Sequence, residues 1–337
     1  MNTHIEHGGA LDRAIPRFGG KPEDWLDLST GINPEHFPLP DFSPALWNRL
    51  PDEGLLQRAL VSARRYYGVV DDAPIVAAPG TQALIQLIPT LVKASTVAIL
   101  GPTYQEHAAS FVASGWNVAE CATLDDIPAQ AQVVVIVNPN NPTGRIVKDS
   151  DLLDLAKTLG ARGGFLVVDE AFADTNMKMS VAAHAANAPM MVLKSFGKFF
   201  GLAGLRLGFL LASADLVERV AGRLGPWAVS GPALALADHA FVSDAALSAF
   251  RARIDWRRAE LGVVLERCGL RMVGGTDLFT LIEHPNAHAI YDALCERHIL
   301  VRKFDYAPQW LRIGLAFDEV AFARLELALR DILRLKD

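Results

Sequence analysis

The chain has 337 residues, 51% hydrophobic and 21% charged, with a formal net charge of −6. That composition supports a sizeable core, excludes a disordered chain, and leaves no basic footprint for a nucleic-acid partner. Three scattered cysteines, Cys121, Cys268 and Cys295, show no CxxC spacing and argue against a disulfide framework or a zinc site.

The opening stretch, MNTHIEHGGALDRAIPRFGG, has no apolar signal core. No uninterrupted apolar run approaches the ~20 residues of a membrane span. A soluble, cytoplasmic protein without a membrane partner is expected. At roughly 100–200 residues per domain, the length allows two domains or one large one. Residues 1–45, rich in Gly and Pro, read as an arm laid over the body. Residues 46–235 carry short β-branched runs: PIVAAPG, TVAILGP, VVVIVNPNNPTG, FLVVDEAF, MVLKSFGK and RLGFLLA. Helix-like stretches such as TQALIQLIPTLVKA and DSDLLDLAKTLGARG lie between several of them. Apolar strands alternating with helices predict an α/β fold with a largely parallel sheet between helical layers. Residues 236–337 read as a smaller α+β domain. It has one long amphipathic helix (DAALSAFRARIDWRRAELGVVLERCG), an apolar run (LFTLIE), a helix (NAHAIYDALCERH), a strand pair (ILVRKF and LRIGLA) and a terminal helix.

In open α/β sheets ligands bind beyond the carboxyl ends of the strands, where the polar and glycine-rich punctuation of this chain falls. Asp169 ends a very apolar strand. A buried carboxylate needs a partner, either an ion pair within the fold or a protonated heterocycle nitrogen. NPNNPTG is a polar turn and a candidate site. APGTQ is a strand, a glycine and a helix start, whose free N–H groups suit a phosphate. Lys198 lies in the apolar run SFGKFFGLAGLRLGF, with Lys194 just upstream as a rival. Apolar surroundings disfavour the ammonium form, and a neutral amine can form a Schiff base with an aldehyde; a lysine that snorkels at a strand end is the plainer alternative. Ser195 and Arg206 flank Lys198 and could grip a phosphate.

Ser-x-x-Lys, then seven residues, then Arg resembles the cofactor loop of fold-type I pyridoxal-phosphate enzymes. GKFFGLAGLRLGF is similar to the branch that holds histidinol-phosphate aminotransferases and cobalamin-pathway threonine-phosphate decarboxylases. PGTQ, PTYQEH, NPNNPTG, VVDEAF, GPWAVSGPALALA and LRIGLA follow in the order of that branch. The resemblance implies a large domain with a mostly parallel seven-stranded sheet, a smaller α+β domain, pyridoxal 5'-phosphate as cofactor, and a homodimer. It implies Lys198 as the Schiff-base lysine, because only Lys198 stands three after Ser195 and eight before Arg206. Asp169 would pair with the pyridinium nitrogen, Asn141 with the phenolic oxygen, and Tyr104 would stack on the ring. Gly80, Thr81, Gln82, Ser195 and Arg206 would hold the cofactor phosphate, and Arg312 the substrate α-carboxylate.

Two positions depart from the branch: Phe172 stands where many members have tyrosine, and Leu50 where aminotransferases often carry tyrosine before Pro-Asp. Both lean away from an ordinary transaminase. Spacing alone does not choose between decarboxylation and transamination. The arm does so by resemblance. HGG, then DWLDLS and INP, is similar to the opening of the threonine-phosphate decarboxylases. His7, Gly8, Gly9 and Asn33 are then expected to bind substrate, and Arg302 its phosphate, although a solvated surface arginine would look the same in sequence. The implied substrate is a small phosphorylated amino acid, L-threonine O-3-phosphate. The alternatives are an aminotransferase for histidinol phosphate or a related amino acid and, more remotely, a non-catalytic aminotransferase-like binding module.

Overall fold

The apolar runs become strands because they are covered on both sides: every residue of Val133–Val137 and Phe165–Asp169 is buried. The computed structural model describes residue 5 and residues 7–334. The chain divides into two units. The larger comprises His36–Asn141 and Arg145–Ala249. The smaller comprises the described parts of Met1–Glu35 and Phe250–Asp337, with Pro142–Gly144.

The larger unit contains β1 (Ile75–Ala78), β2 (Thr96–Leu100), β3 (Asn117–Cys121), β4 (Val133–Val137), β5 (Phe165–Asp169), β6 (Met190–Ser195) and β7 (Gly208–Leu211). They form one seven-stranded sheet in the order β1-β7-β6-β5-β4-β2-β3. Strands β6, β5, β4, β2 and β3 run parallel, and β7 runs antiparallel to both β6 and β1. This is the mostly parallel sheet expected from the sequence. Strand β3 was not among the expected runs. It is an edge strand with a partly exposed NVAEC sequence, so it lacks the apolar signature of a central strand.

One core cluster joins Leu84 and Ile85 of the helix Thr81–Leu87 to Val97, Ile99, Val133, Val135, Phe165, Val167, Leu193 and Leu210 of the sheet. Phe111 and Trp116 extend it edge to face at 5.1 Å. A second, aromatic cluster anchors the stretch around Lys198. Phe196 and Phe200 stack at 4.2 Å, and Phe241 meets both edge-on. Each fully buried phenylalanine contributes about 2–3 kcal/mol of apolar burial. The short helix Phe196–Phe199 is therefore held by its neighbours rather than by its own length.

The smaller unit has a four-stranded antiparallel sheet of β8 (Arg271–Thr276), β9 (Phe279–Glu283), β10 (Arg302–Lys303) and β11 (Trp310–Gly314), in the order β10-β11-β9-β8. Helices Ala287–Cys295 and Glu319–Ile332 belong to it, as does most of the 24-residue helix Asp244–Arg267. The N-terminal segment is stitched into this unit. Leu26–Asp27 pairs in parallel with Ile299–Leu300, and the Gly314 N–H donates to Leu28 O at 2.7 Å. Among the described residues no single helix is long and apolar enough to cross a membrane. Cys121, Cys268 and Cys295 are all buried free thiols.

Candidate active site

In the larger unit the expected cofactor residues collect at one end of the sheet. Tyr104 follows β2, Asn141 follows β4, Asp169 ends β5 and Ser195 ends β6. Because β7 runs the other way, its first residue, Gly208, lies at that same end, opposite both Ala78 and Ser195. The turn after β1, the end of β6 and Arg206 are thereby brought together.

Glycine permits the close approach. A Cβ on Gly208 would meet Thr81 N at 2.8 Å and Lys194 O at 3.0 Å. A Cβ on Gly80 would meet the Arg206 guanidinium at 2.6 Å, and Gly80 has a φ of +84°. Arg206 itself is left-handed, with φ 56° and ψ 63°, and its Nη1 donates to Ala203 O at 3.0 Å. A non-glycine residue in that region costs roughly 1–2 kcal/mol. Backbone N–H groups at Thr81 and Gln82, the Ser195 hydroxyl and the Arg206 guanidinium are the donor set a phosphate needs. The Gln82 side chain is committed elsewhere: it accepts from Tyr104 Oη at 3.3 Å and donates to Glu106 Oε2 at 2.9 Å. Its backbone remains the part suited to the phosphate.

Asp169 is 3% exposed. Its Oδ1 accepts the Ala171 N–H at 3.0 Å, and its Oδ2 lies 2.9 Å from His107 Nε2. A carboxylate only accepts, so the imidazole donates from Nε2. The sequence reading missed His107. The signal was its place three residues after Tyr104 in PTYQEH, in the first turn of the helix Glu106–Ala113.

The two lysines differ in kind. Successive strand residues point to opposite faces, and Lys194, inside β6, is fully buried. Its Nζ lies 2.5 Å from Glu170 Oε2, 3.0 Å from Ser180 Oγ and 4.9 Å from the Tyr67 ring centroid. Glu170 also accepts from the Val181 N–H and from Ser180 Oγ. Burial, with the negative charges of Asp174 and Glu170 adding to it, holds the Tyr67 phenol well above its ordinary pKa. Lys198 is half-buried, its Nζ 5.8 Å from the centroid of the Phe172 ring. Phe172 is buried, whereas Leu50 is 65% exposed.

In the smaller unit Arg302 and Arg312 are direct cross-strand partners on β10 and β11. Like charges in that position destabilise a sheet unless an anion joins them. Arg312 is 6% exposed, lies over the Phe279 ring at 5.0 Å, and donates to Ser29 O at 2.6 Å. Arg302 is half-buried and sits 5.4 Å from the Phe304 centroid. The turn at Gly8 and Gly9 comes close. The Gly9 N–H donates to Ser29 Oγ at 2.7 Å, and a Cβ on Gly8 would lie 3.4 Å from Arg312 Nη2. His7, in the same turn, is exposed. Asn33 is buried and accepts the Glu35 N–H at 3.2 Å.

The sheet order is that of the fold-type I pyridoxal-phosphate enzymes, and the chain belongs to the aminotransferase class I and II family, which it matches over residues 50–325. It is 49% identical over 331 residues to the threonine-phosphate decarboxylase of Sinorhizobium sp, covering 98% of both chains. It is 41% identical over 329 residues to the threonine-phosphate decarboxylase of Pseudomonas aeruginosa, covering 96% of this chain and 97% of the relative. The fold matches the crystal structure of histidinol-phosphate aminotransferase from Sinorhizobium meliloti in complex with pyridoxal-5'-phosphate. That match has a TM-score of 0.82 at 20% identity and covers 98% of this chain and 96% of the other.

Proposed function

We propose that the protein is a pyridoxal-phosphate-dependent decarboxylase that converts L-threonine O-3-phosphate to (R)-1-amino-2-propanol O-phosphate and carbon dioxide, supplying the aminopropanol arm of cobalamin. The observation that carries this reading is the 49% identity over nearly the whole length to a threonine-phosphate decarboxylase.

The residues present suit the cofactor: a glycine-lined cradle of phosphate donors, a buried carboxylate backed by an imidazole, and a half-buried lysine amine. When bound, pyridoxal phosphate supplies an electron sink for the bond broken at the substrate α-carbon. Lys198 supplies the amine that anchors it, and Asp169, oriented by His107, holds a protonated ring nitrogen. Tyr104 covers the ring face, and Asn141 donates to the phenolic oxygen. Thr81, Gln82, Ser195 and Arg206 hold the phosphate, with Gly80 leaving room for it. Arg312 takes the substrate carboxylate. Its stacking on Phe279 and its bond to Ser29 O keep the guanidinium preorganised for this task. Arg302 takes the substrate phosphate, and His7, Gly8, Gly9 and Asn33 contribute to substrate binding. The carbon–carboxylate bond breaks, carbon dioxide leaves, and Lys198 Nζ or a water beside it returns a proton to the α-carbon. The working form on this reading is a cytoplasmic homodimer.

Incubation with phosphothreonine tests the reaction. Carbon dioxide should be released without a keto-acid acceptor, and a strict requirement for an acceptor would overturn the reading in favour of a transaminase. Arg302→Ala should raise KM for phosphothreonine by about 10- to 100-fold, the loss expected for one charged hydrogen-bonding partner. The same variant should lose little affinity for a non-phosphorylated amino-acid ligand. Equal losses for both ligands would place the substrate phosphate elsewhere.

A further inference from the structure

Two loops carry Tyr104 and Asn141, and both leave neighbouring strands, since β2 pairs directly with β4. They are tied to each other by a set of hydrogen bonds above the sheet. Thr103 Oγ1 donates to Asn140 Oδ1 at 2.6 Å, and Asn140 Nδ2 donates to Pro102 O at 2.9 Å. The Asn140 N–H donates to Arg145 O at 2.9 Å. The Arg145 guanidinium reaches back across the loop. Its Nη1 donates to Ala122 O at 3.0 Å and Gly101 O at 3.3 Å, and its Nη2 donates to Leu100 O at 3.1 Å.

These carbonyls lie at or beyond the ends of β2 and β3, where the ladder no longer uses them all, and a backbone acceptor left without a partner is costly. A planar guanidinium can serve three at once; an ammonium on a flexible stem does so with far less geometric definition. Thr103 and Asn140 are themselves buried, and Asn140 is fully so. Each is the residue immediately before a cofactor candidate: Thr103 before Tyr104, Asn140 before Asn141.

We propose that Thr103, Asn140 and Arg145 are positioning residues that set the spacing between Tyr104 and Asn141, and so the fit of the cofactor ring between its stacking partner and its hydrogen-bond donor. The proposal rests on the cofactor reading given above. Arg145 is half-buried and its bond to Ala122 O is exposed, so water can reach the carbonyls it serves when it is replaced. Loosening the clamp should therefore affect cofactor binding more than folding.

The test compares wild type with Arg145→Met, Arg145→Lys and Thr103→Val. The readouts are the pyridoxal-phosphate dissociation constant, the visible circular dichroism of the bound cofactor, and the melting temperature of the cofactor-free protein. Thr103→Val and Arg145→Met should each weaken cofactor binding by about five- to tenfold, as expected for one or two net hydrogen bonds. Both should reduce the visible dichroism while the cofactor-free protein melts within a few degrees of wild type. Arg145→Lys should recover only part of the loss. Wild-type affinity and wild-type dichroism in Thr103→Val and Arg145→Met would overturn the proposal, because the clamp would then be structural only. If Arg145→Met does not fold, the nearly isosteric Thr103→Val decides alone. Failure of the wild type itself to bind pyridoxal phosphate would overturn the cofactor reading, and is seen before any variant is compared.

Discussion

Lys198→Ala is expected to erase the visible absorption band that a lysine-bound cofactor gives, and to lower turnover by roughly four orders of magnitude or more. Folding should change little, because Lys198 is half-buried on a short helix anchored by Phe196 and Phe199. Lys194→Ala should do the reverse. It removes the cation from a fully buried pair with Glu170 and leaves that carboxylate buried without its counter-ion, close to the buried Asp174. Breaking such a pair costs about 3–5 kcal/mol. The melting temperature should drop steeply, while the fraction that folds keeps the visible band. Absorbance and thermal melts on both variants check this. Loss of the band in Lys194→Ala with its retention in Lys198→Ala would refute the assignment.

Asp169→Asn is the second large effect. The substitution keeps the size of the side chain, but its single amide oxygen replaces only one of the two accepting oxygens: if it keeps the Ala171 N–H, the amide NH2 faces His107 Nε2, which must then accept. It removes the negative charge that would hold a ring nitrogen protonated. Loss of one preorganised electrostatic partner costs about 10²–10³ in turnover. Steady-state kinetics on phosphothreonine, with cofactor content checked by absorbance, measure it. A loss below about threefold would mean that Asp169 serves the fold through His107 and nothing more.

Much of the fold was legible because its signals are local. The uninterrupted VVVIV and FLVVD runs announce strands covered on both faces, and both are fully buried. The edge strand Asn117–Cys121 escaped because it is half-exposed and carries Glu120 and Asn117 within it. The preference for Lys198 over Lys194 rested on spacing to Ser195 and Arg206. The reason Lys194 is committed elsewhere was not legible, because Glu170, Ser180 and Tyr67 are distant in sequence and meet it only across the folded sheet. His107 was overlooked for the same reason. Its spacing to Tyr104 is visible in the sequence, but its partner is not until helix Glu106–Ala113 sets it against the end of a strand 62 residues away.

By itself, the sequence determined the strand and helix periodicities, the order of the strand-end motifs, and the identities of the groups available for chemistry. Those properties are set by side-chain pattern and spacing along one chain. The tertiary structure alone decided which groups share a neighbourhood. The reversal of β7 brings Arg206 back to Gly80, the pairing of β10 with β11 sets Arg302 opposite Arg312, and Asn140 and Arg145 join two loops. Hydrogen bonds and ion pairs act over a few ångströms, and only folding brings residues so far apart in the chain within that reach.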